Sequence, residues 1–64
     1  MNLNIVLANV MRRHPIVVME ARHGKPQAIG FLVGQMMKET GGKANAAEAQ
    51  ALIRRYITPM KPNG

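Results

Sequence analysis

The sequence predicts an all-α fold: a small bundle of three to four helices with short loops over residues 1–57, followed by a flexible tail over 58–64. Three observations carry that prediction. Apolar residues recur at helical spacing in the first, central and last parts of the chain. Pro15 and Pro26 suit first helical turns, while Gly24 and Gly41-Gly42 suit the residues just past helix ends. No two segments offer themselves as a pair of strands, and a lone strand leaves its backbone groups unsatisfied.

The first helix is expected from Asn2 to Arg13. Leu3, Val6, Leu7, Val10 and Met11 share one face, and Arg12 and Arg13 stand near the C-terminal end, where cations are favoured. Pro15 ends or kinks it, because the residue before a proline avoids the α region. Pro15–His23 contains the β-branched run Ile16-Val17-Val18. The flanking Pro15 and Gly24 nevertheless predict a short helix, with His14 substituting as its N-cap and His23 at the surface near its end.

Pro26–Thr40 is the central helix, with Ile29, Leu32, Val33, Met36 and Met37 on one broad face. Phe31 projects to the other side, near Gln27 and Lys38. A helix apolar around so much of its circumference is usually buried by several neighbours. Gly30 and Gly34 stand inside it, where each glycine costs about 1 kcal/mol relative to alanine. The expected compensation is close approach of another helix, so Gly34→Leu is expected to destabilise by overpacking. Gly41-Gly42 stops the helix. Asn45 then caps a last helix to about Ile57, with Glu48 completing a capping-box pattern. Its apolar face is Ala46, Ala49, Leu52, Ile53, Tyr56 and Ile57. Methionines 11, 19, 36 and 37 are expected to fill the core.

Nine Lys and Arg face three Glu, for a net charge of +6. That balance points to an acidic partner, nucleic acid first. With Phe31 and Tyr56 as the only aromatics, contact is expected mainly with phosphates rather than by base stacking. A chain of 64 residues makes one small domain and buries only about 60% of its unfolded surface, and the absence of Cys removes any disulfide support. That cysteine usage fits a reducing cytoplasm. The longest apolar run, Ile29 to Met37, is interrupted by Gln35 and is too short to span a bilayer, so no membrane association is expected.

Catalysis is disfavoured. The chain has no Ser, Cys or Asp, which leaves Thr40, Thr58, Tyr56 and the lysines as its only nucleophiles. His14, Glu20 and His23 are a poor approximation to a zinc ligand set. Gly41-Gly42-Lys43 before a capped helix has the elements of a phosphate nest, although a plain helix–helix turn accounts for it more simply. No P-loop is present, since the Gly-Lys-Ser/Thr ending and the preceding strand are missing.

One phrase is more specific. Gly24-Lys25, Ala28-Ile29-Gly30-Phe31-Leu32-Val33-Gly34-Gln35, Met37-Lys38 and Gly42-Lys43-Ala44-Asn45 together closely resemble the C-terminal domain of the B subunit of the aspartyl/glutamyl-tRNA amidotransferases, shared with free-standing YqeY-like proteins. The resemblance reaches back to His14-Pro15 and forward to Leu52-Ile53. It departs from the family pattern at His14 for Asn, at Met19 for an acidic residue, at Ala21 for an aromatic and at Ala46 for proline. These departures make the second helix more apolar than is usual.

The resemblance implies a non-catalytic helical domain that contacts tRNA. The parent enzyme is a carbon–nitrogen ligase that takes its amide from glutamine and uses ATP and magnesium, to convert Glu-tRNA(Gln) or Asp-tRNA(Asn). Those chemistries belong to the A subunit and to the large N-terminal part of the B subunit, and none of their residues maps here. No cofactor or metal is therefore expected on this chain. The implied partners are tRNA, the rest of the B subunit and the other amidotransferase subunits. The candidate phosphate contacts are Lys25, Lys38, Lys43, Arg54 and Arg55, with Gly30 and Gly34 as helix-packing residues. The competing expectation is a docking or oligomerisation module with no RNA contact, motivated by the apolar second helix and by Phe31.

Overall fold

Asn2 opens the first helix by accepting the Asn4 amide on its Oδ1 at 2.9 Å. In this computed structural model, which describes residues 2–57, that helix is α1, Leu3–Arg13. Three more follow: α2, Pro15–Arg22; α3, Pro26–Glu39; and α4, Ala46–Tyr56. The expected all-α bundle is thus borne out, and the β-branched run in α2 is helical. The tail expected over 58–64 lies outside the described residues.

The loops are short because each helix end is closed locally. At the end of α2 the Gly24 amide donates to the Ala21 carbonyl and the Lys25 amide to that of Glu20. At the end of α3 the Gly41 amide donates to Lys38 and the Gly42 amide to Met37. Both are Schellman closures, and Gly24 (φ 86°), Gly41 (φ 64°) and Gly42 (φ 82°) supply the left-handed backbone such closures need. Asn45 Oδ1 then accepts from the Ala47 and Glu48 amides at 2.7 and 3.3 Å, starting α4 as its cap pattern predicts.

Helix α3 is the centre of the bundle and packs against each of the other three. Its buried side chains, Ala28, Leu32 and Met36, meet Leu7 and Val10 of α1, Ala21 of α2, and Ala49, Ile53 and Ile57 at the α4 end in one core. Leu32, Met36, Ala49 and Ile53 are sealed from solvent. Helices α2 and α4 do not pack directly on one another, so a groove remains between them over the start of α3.

Several expectations give way here. Met36 fills the core and Met11 packs against it, but Met19 faces outward and is half exposed. Ala46 and Tyr56 leave the core face of α4, and the Tyr56 hydroxyl instead donates to Asn4 Oδ1 at 3.1 Å. His14 makes no side-chain cap on α2, and its ring packs edge-on against Phe31 with centroids 4.9 Å apart. Gly30 and Gly34 are not helix-packing residues within the chain: both are exposed, and a Cβ added at either meets nothing within 4 Å. The apolar stripe turns Ala28, Leu32 and Met36 inward, which leaves the glycines on the opposite side of α3.

Candidate nucleic-acid interface

Thr40, one of the few nucleophiles in the chain, is buried and committed to structure. Its hydroxyl donates to the Met36 carbonyl, 3.0 Å away, and accepts the Ala44 amide at 3.1 Å. Together with the Schellman closure this decides what the Gly41-Gly42-Lys43 turn can offer. The Gly41 and Gly42 amides serve the end of α3, the Lys43 amide donates to the Thr40 carbonyl, and the Ala44 amide to the Thr40 hydroxyl. No amide from 41 to 44 is left for an anion, so the turn is no phosphate nest. Lys43 contributes a side chain only. Among the described residues no three His, Cys, Asp or Glu come together as a metal group, and no helix is long and apolar enough to cross a membrane.

The five candidate cations are all exposed, and the fold sorts most of them into two ends. Lys25 precedes α3 and Lys38 lies in its last turn. At 1.5 Å rise per residue they stand about 20 Å apart along the axis. Lys43 follows α3 and joins the Lys38 end. Arg54, in the last turn of α4, lines the groove beside Gly24 and Pro26, which places it at the Lys25 end. Arg55, next to it in sequence, turns away from the core face.

The acidic residue next to Lys38 is already engaged elsewhere. Glu39, adjacent to Lys38, is tied to Arg13 across the bundle at 2.7 Å. The hydrogen bond from Arg13 holds its carboxyl below the usual carboxylate range against the opposing effect of burial, with lesser help from the charges of Arg13 and Lys38. Twenty-six positions separate the two partners, so no local spacing announces this pair. The His14–Phe31 contact is equally silent in sequence.

Between the two basic ends runs the side-chain-poor strip of Gly30 and Gly34. Phe31, at 40% exposure, stands next to it, and Lys38 lies one turn beyond Gly34. A body approaching this strip reaches the helix backbone with no Cβ in the way. The strip was legible as two glycines one turn apart. Its direction was not.

The groove between α2 and α4 has a volume of about 380 Å³ and is lined by Ala21, Gly24, Pro26, Ile29, Gln50, Arg54 and Ile57. Gln50 and Arg54 stand one turn apart on the flank of α4, a spacing visible in the sequence but not singled out there.

Comparison with known proteins adds a consistent set of relatives. A family described as the GatB domain matches residues 2–57. The chain is 46% identical, over 55 residues, to the B subunit of the aspartyl/glutamyl-tRNA(Asn/Gln) amidotransferase of Moorella thermoacetica, covering 86% of this chain and 12% of the relative. It is 44% identical over 58 residues to the protein of the same name from Carboxydothermus hydrogenoformans, covering 91% of the chain and 12% of that protein. The mitochondrial B subunit of the glutamyl-tRNA(Gln) amidotransferase of Clavispora lusitaniae is 40% identical over 52 residues, covering 81% of the chain and 10% of that protein. The chain thus spans only about an eighth of the length of the relatives it matches. No solved structure matches it.

Proposed function

The chain belongs to the GatB domain family, and from that premise we propose that it is a non-catalytic, tRNA-binding helical domain of an amidotransferase B subunit. It serves the transamidation of Glu-tRNA(Gln) or Asp-tRNA(Asn) by holding the RNA, while ATP, magnesium and glutamine chemistry belong to other parts of the enzyme. Its partners in this reading are tRNA, the rest of the B subunit and the other amidotransferase subunits.

One observation supports this reading most. Gly30 and Gly34 weaken α3 on a face where the bundle has no use for them, since a Cβ would meet nothing there. Residues that cost helix stability and bring no internal packing are explained by something outside the chain that comes close to the backbone. Lys38 and Lys43 stand at one end of that strip and Lys25 precedes the other, so an anionic backbone fits it. The contacts along this strip are phosphate contacts, which position RNA without reading its sequence.

The test is titration of tRNA against the purified chain over a range of salt. About four phosphate contacts predict a slope of roughly −3 to −4 in log K against log salt. Lys38→Gln and Lys43→Ala should each reduce that slope by about 1. Binding that is undetectable at low salt, or indifferent to salt, defeats the proposal.

A second reading has its own observation. Ile16 and Met19 are exposed at 63% and 50% on the outer side of α2, which suits docking on another protein surface. Docking without RNA contact predicts that neutralising the lysines leaves tRNA affinity unchanged, and that Ile16→Gln abolishes association with a partner subunit.

A further inference from the structure

We propose that the groove between α2 and α4 is a recess for one unpaired nucleotide of the RNA, with the base on its apolar floor and the phosphate at Arg54. This rests on the tRNA-binding reading and adds a site to it. The floor is fixed, because Ala21 and Ile57 are each only 2% exposed and belong to the core. At about 380 Å³ the groove falls at the lower end of the range, roughly 300–1,000 Å³, in which small ligands are held.

The chemistry of the lining selects the occupant. Ala21, Pro26, Ile29 and Ile57 offer apolar contact to a flat ring. Gln50 carries both a donor and an acceptor, so it can meet the edge of a base. Arg54, one turn further along α4, brings a planar cation that binds phosphate through two N–H groups. Among the described residues neither Gln50 nor Arg54 has a side-chain partner to give up. No carboxylate lines the groove, and Lys25 sits between two lining residues, Gly24 and Pro26. A free phosphate would leave the apolar floor unused. An apolar side chain of a protein would leave Gln50 and Arg54 unused. A nucleotide uses both halves. The recess exists because α2 and α4 each pack on α3 and not on each other, and a paired base inside a helix cannot enter it.

The experiment compares a short single-stranded RNA of mixed sequence with a blunt duplex of the same sequence, each titrated into the full isotope-labelled chain at constant ionic strength. The single strand is expected to shift the amide signals of Ala21, Gly24, Ile29 and Gln50 in a saturable way, and the duplex to leave them in place. Gln50→Leu, checked for an unchanged fold by its spectrum, should weaken single-strand binding about two- to tenfold and leave duplex binding alone. Equal shifts with both RNAs would mean a phosphate contact only and would overturn the proposal. Groove signals that stay still while tRNA binds elsewhere would overturn it and leave the tRNA-binding reading standing. Groove signals that change with protein concentration alone would make the groove an interface between copies of the chain, against the proposal. If no RNA binds at low salt, both readings fall together.

Discussion

Thr40 and Ala44 are joined through a single buried hydroxyl: Thr40 Oγ1 takes the Ala44 amide at 3.1 Å and gives its own proton to the Met36 carbonyl at 3.0 Å. This one group holds the α3–α4 turn against the end of the central helix. Both residues are buried, so water cannot take over the contact when it is lost. Thr40→Val keeps the shape and removes the acceptor. It is expected to lower unfolding free energy by about 1–3 kcal/mol, the cost of a buried unpaired amide. Thr40→Ser should retain most of the stability. Urea unfolding of the two variants beside the natural chain provides the measurement.

Gly34→Ala is expected to stabilise the fold by about 0.5–1 kcal/mol, because the helix gains propensity and the new methyl enters open space. Gly34→Leu should not destabilise, which reverses the sign expected from buried packing. If the strip meets RNA, both variants are stable yet bind tRNA more weakly, Leu more than Ala. Thermal melts and tRNA titrations on the same samples separate the two effects. A lower melting temperature for Gly34→Ala would restore a packing role.

Asn45→Ala removes the acceptor that caps the Ala47 and Glu48 amides. A loss of about 1 kcal/mol is expected, with Asn45→Asp close to neutral or slightly stabilising at neutral pH. Helix α4 packs along α3 and carries Ala49 and Ile53 into the core, so the loss should appear in global unfolding as well as in fraying. Hydrogen exchange in the first turn of α4 and denaturant unfolding together check this.

The Arg13–Glu39 pair makes stability respond to acid. Hydrogen bonding from Arg13 lowers the Glu39 carboxyl in the folded state, so its contribution is present above the ordinary carboxylate range. It is lost as pH falls through the depressed folded value. Glu39→Gln should flatten that part of the stability–pH curve and leave the curve near neutral pH almost parallel to the natural one. The effect should shrink at high salt, because both side chains are solvent-accessible. Melting temperatures over an acid series, at low and high salt, test it. A variant that loses stability equally at every pH would assign the pair a packing role instead.

How much was legible follows from the range of each interaction. Helix identities and ends were readable, because Pro15, Gly24, Gly41-Gly42 and Asn45 act on backbone groups within a few residues of themselves. The core of α3 was readable from Leu32 and Met36. The β-branched Ile16-Val17-Val18 did not mislead, since its flanking proline and glycine outweigh a weak strand preference. The family was readable from the phrase that runs from Gly24 to Asn45. The site was half readable: the basic residues were visible, but not their division between the Lys25–Arg54 end and the Lys38–Lys43 end.

The sequence by itself determined an all-α bundle, its helix boundaries, its strong positive charge and its family, because these rest on local backbone chemistry and on composition. Only the tertiary structure decided which way Gly30 and Gly34 face, whether the amides after Thr40 are free, that Arg13 meets Glu39 and His14 meets Phe31, and that a groove opens between α2 and α4. All but the amides, which are settled by closure of the turn within five residues, depend on where a second helix lies. Glycine has no side chain to favour an inside or an outside, so the pattern fixes that Gly30 and Gly34 share one side of α3, and the packing of the other three helices decides that this side is left open.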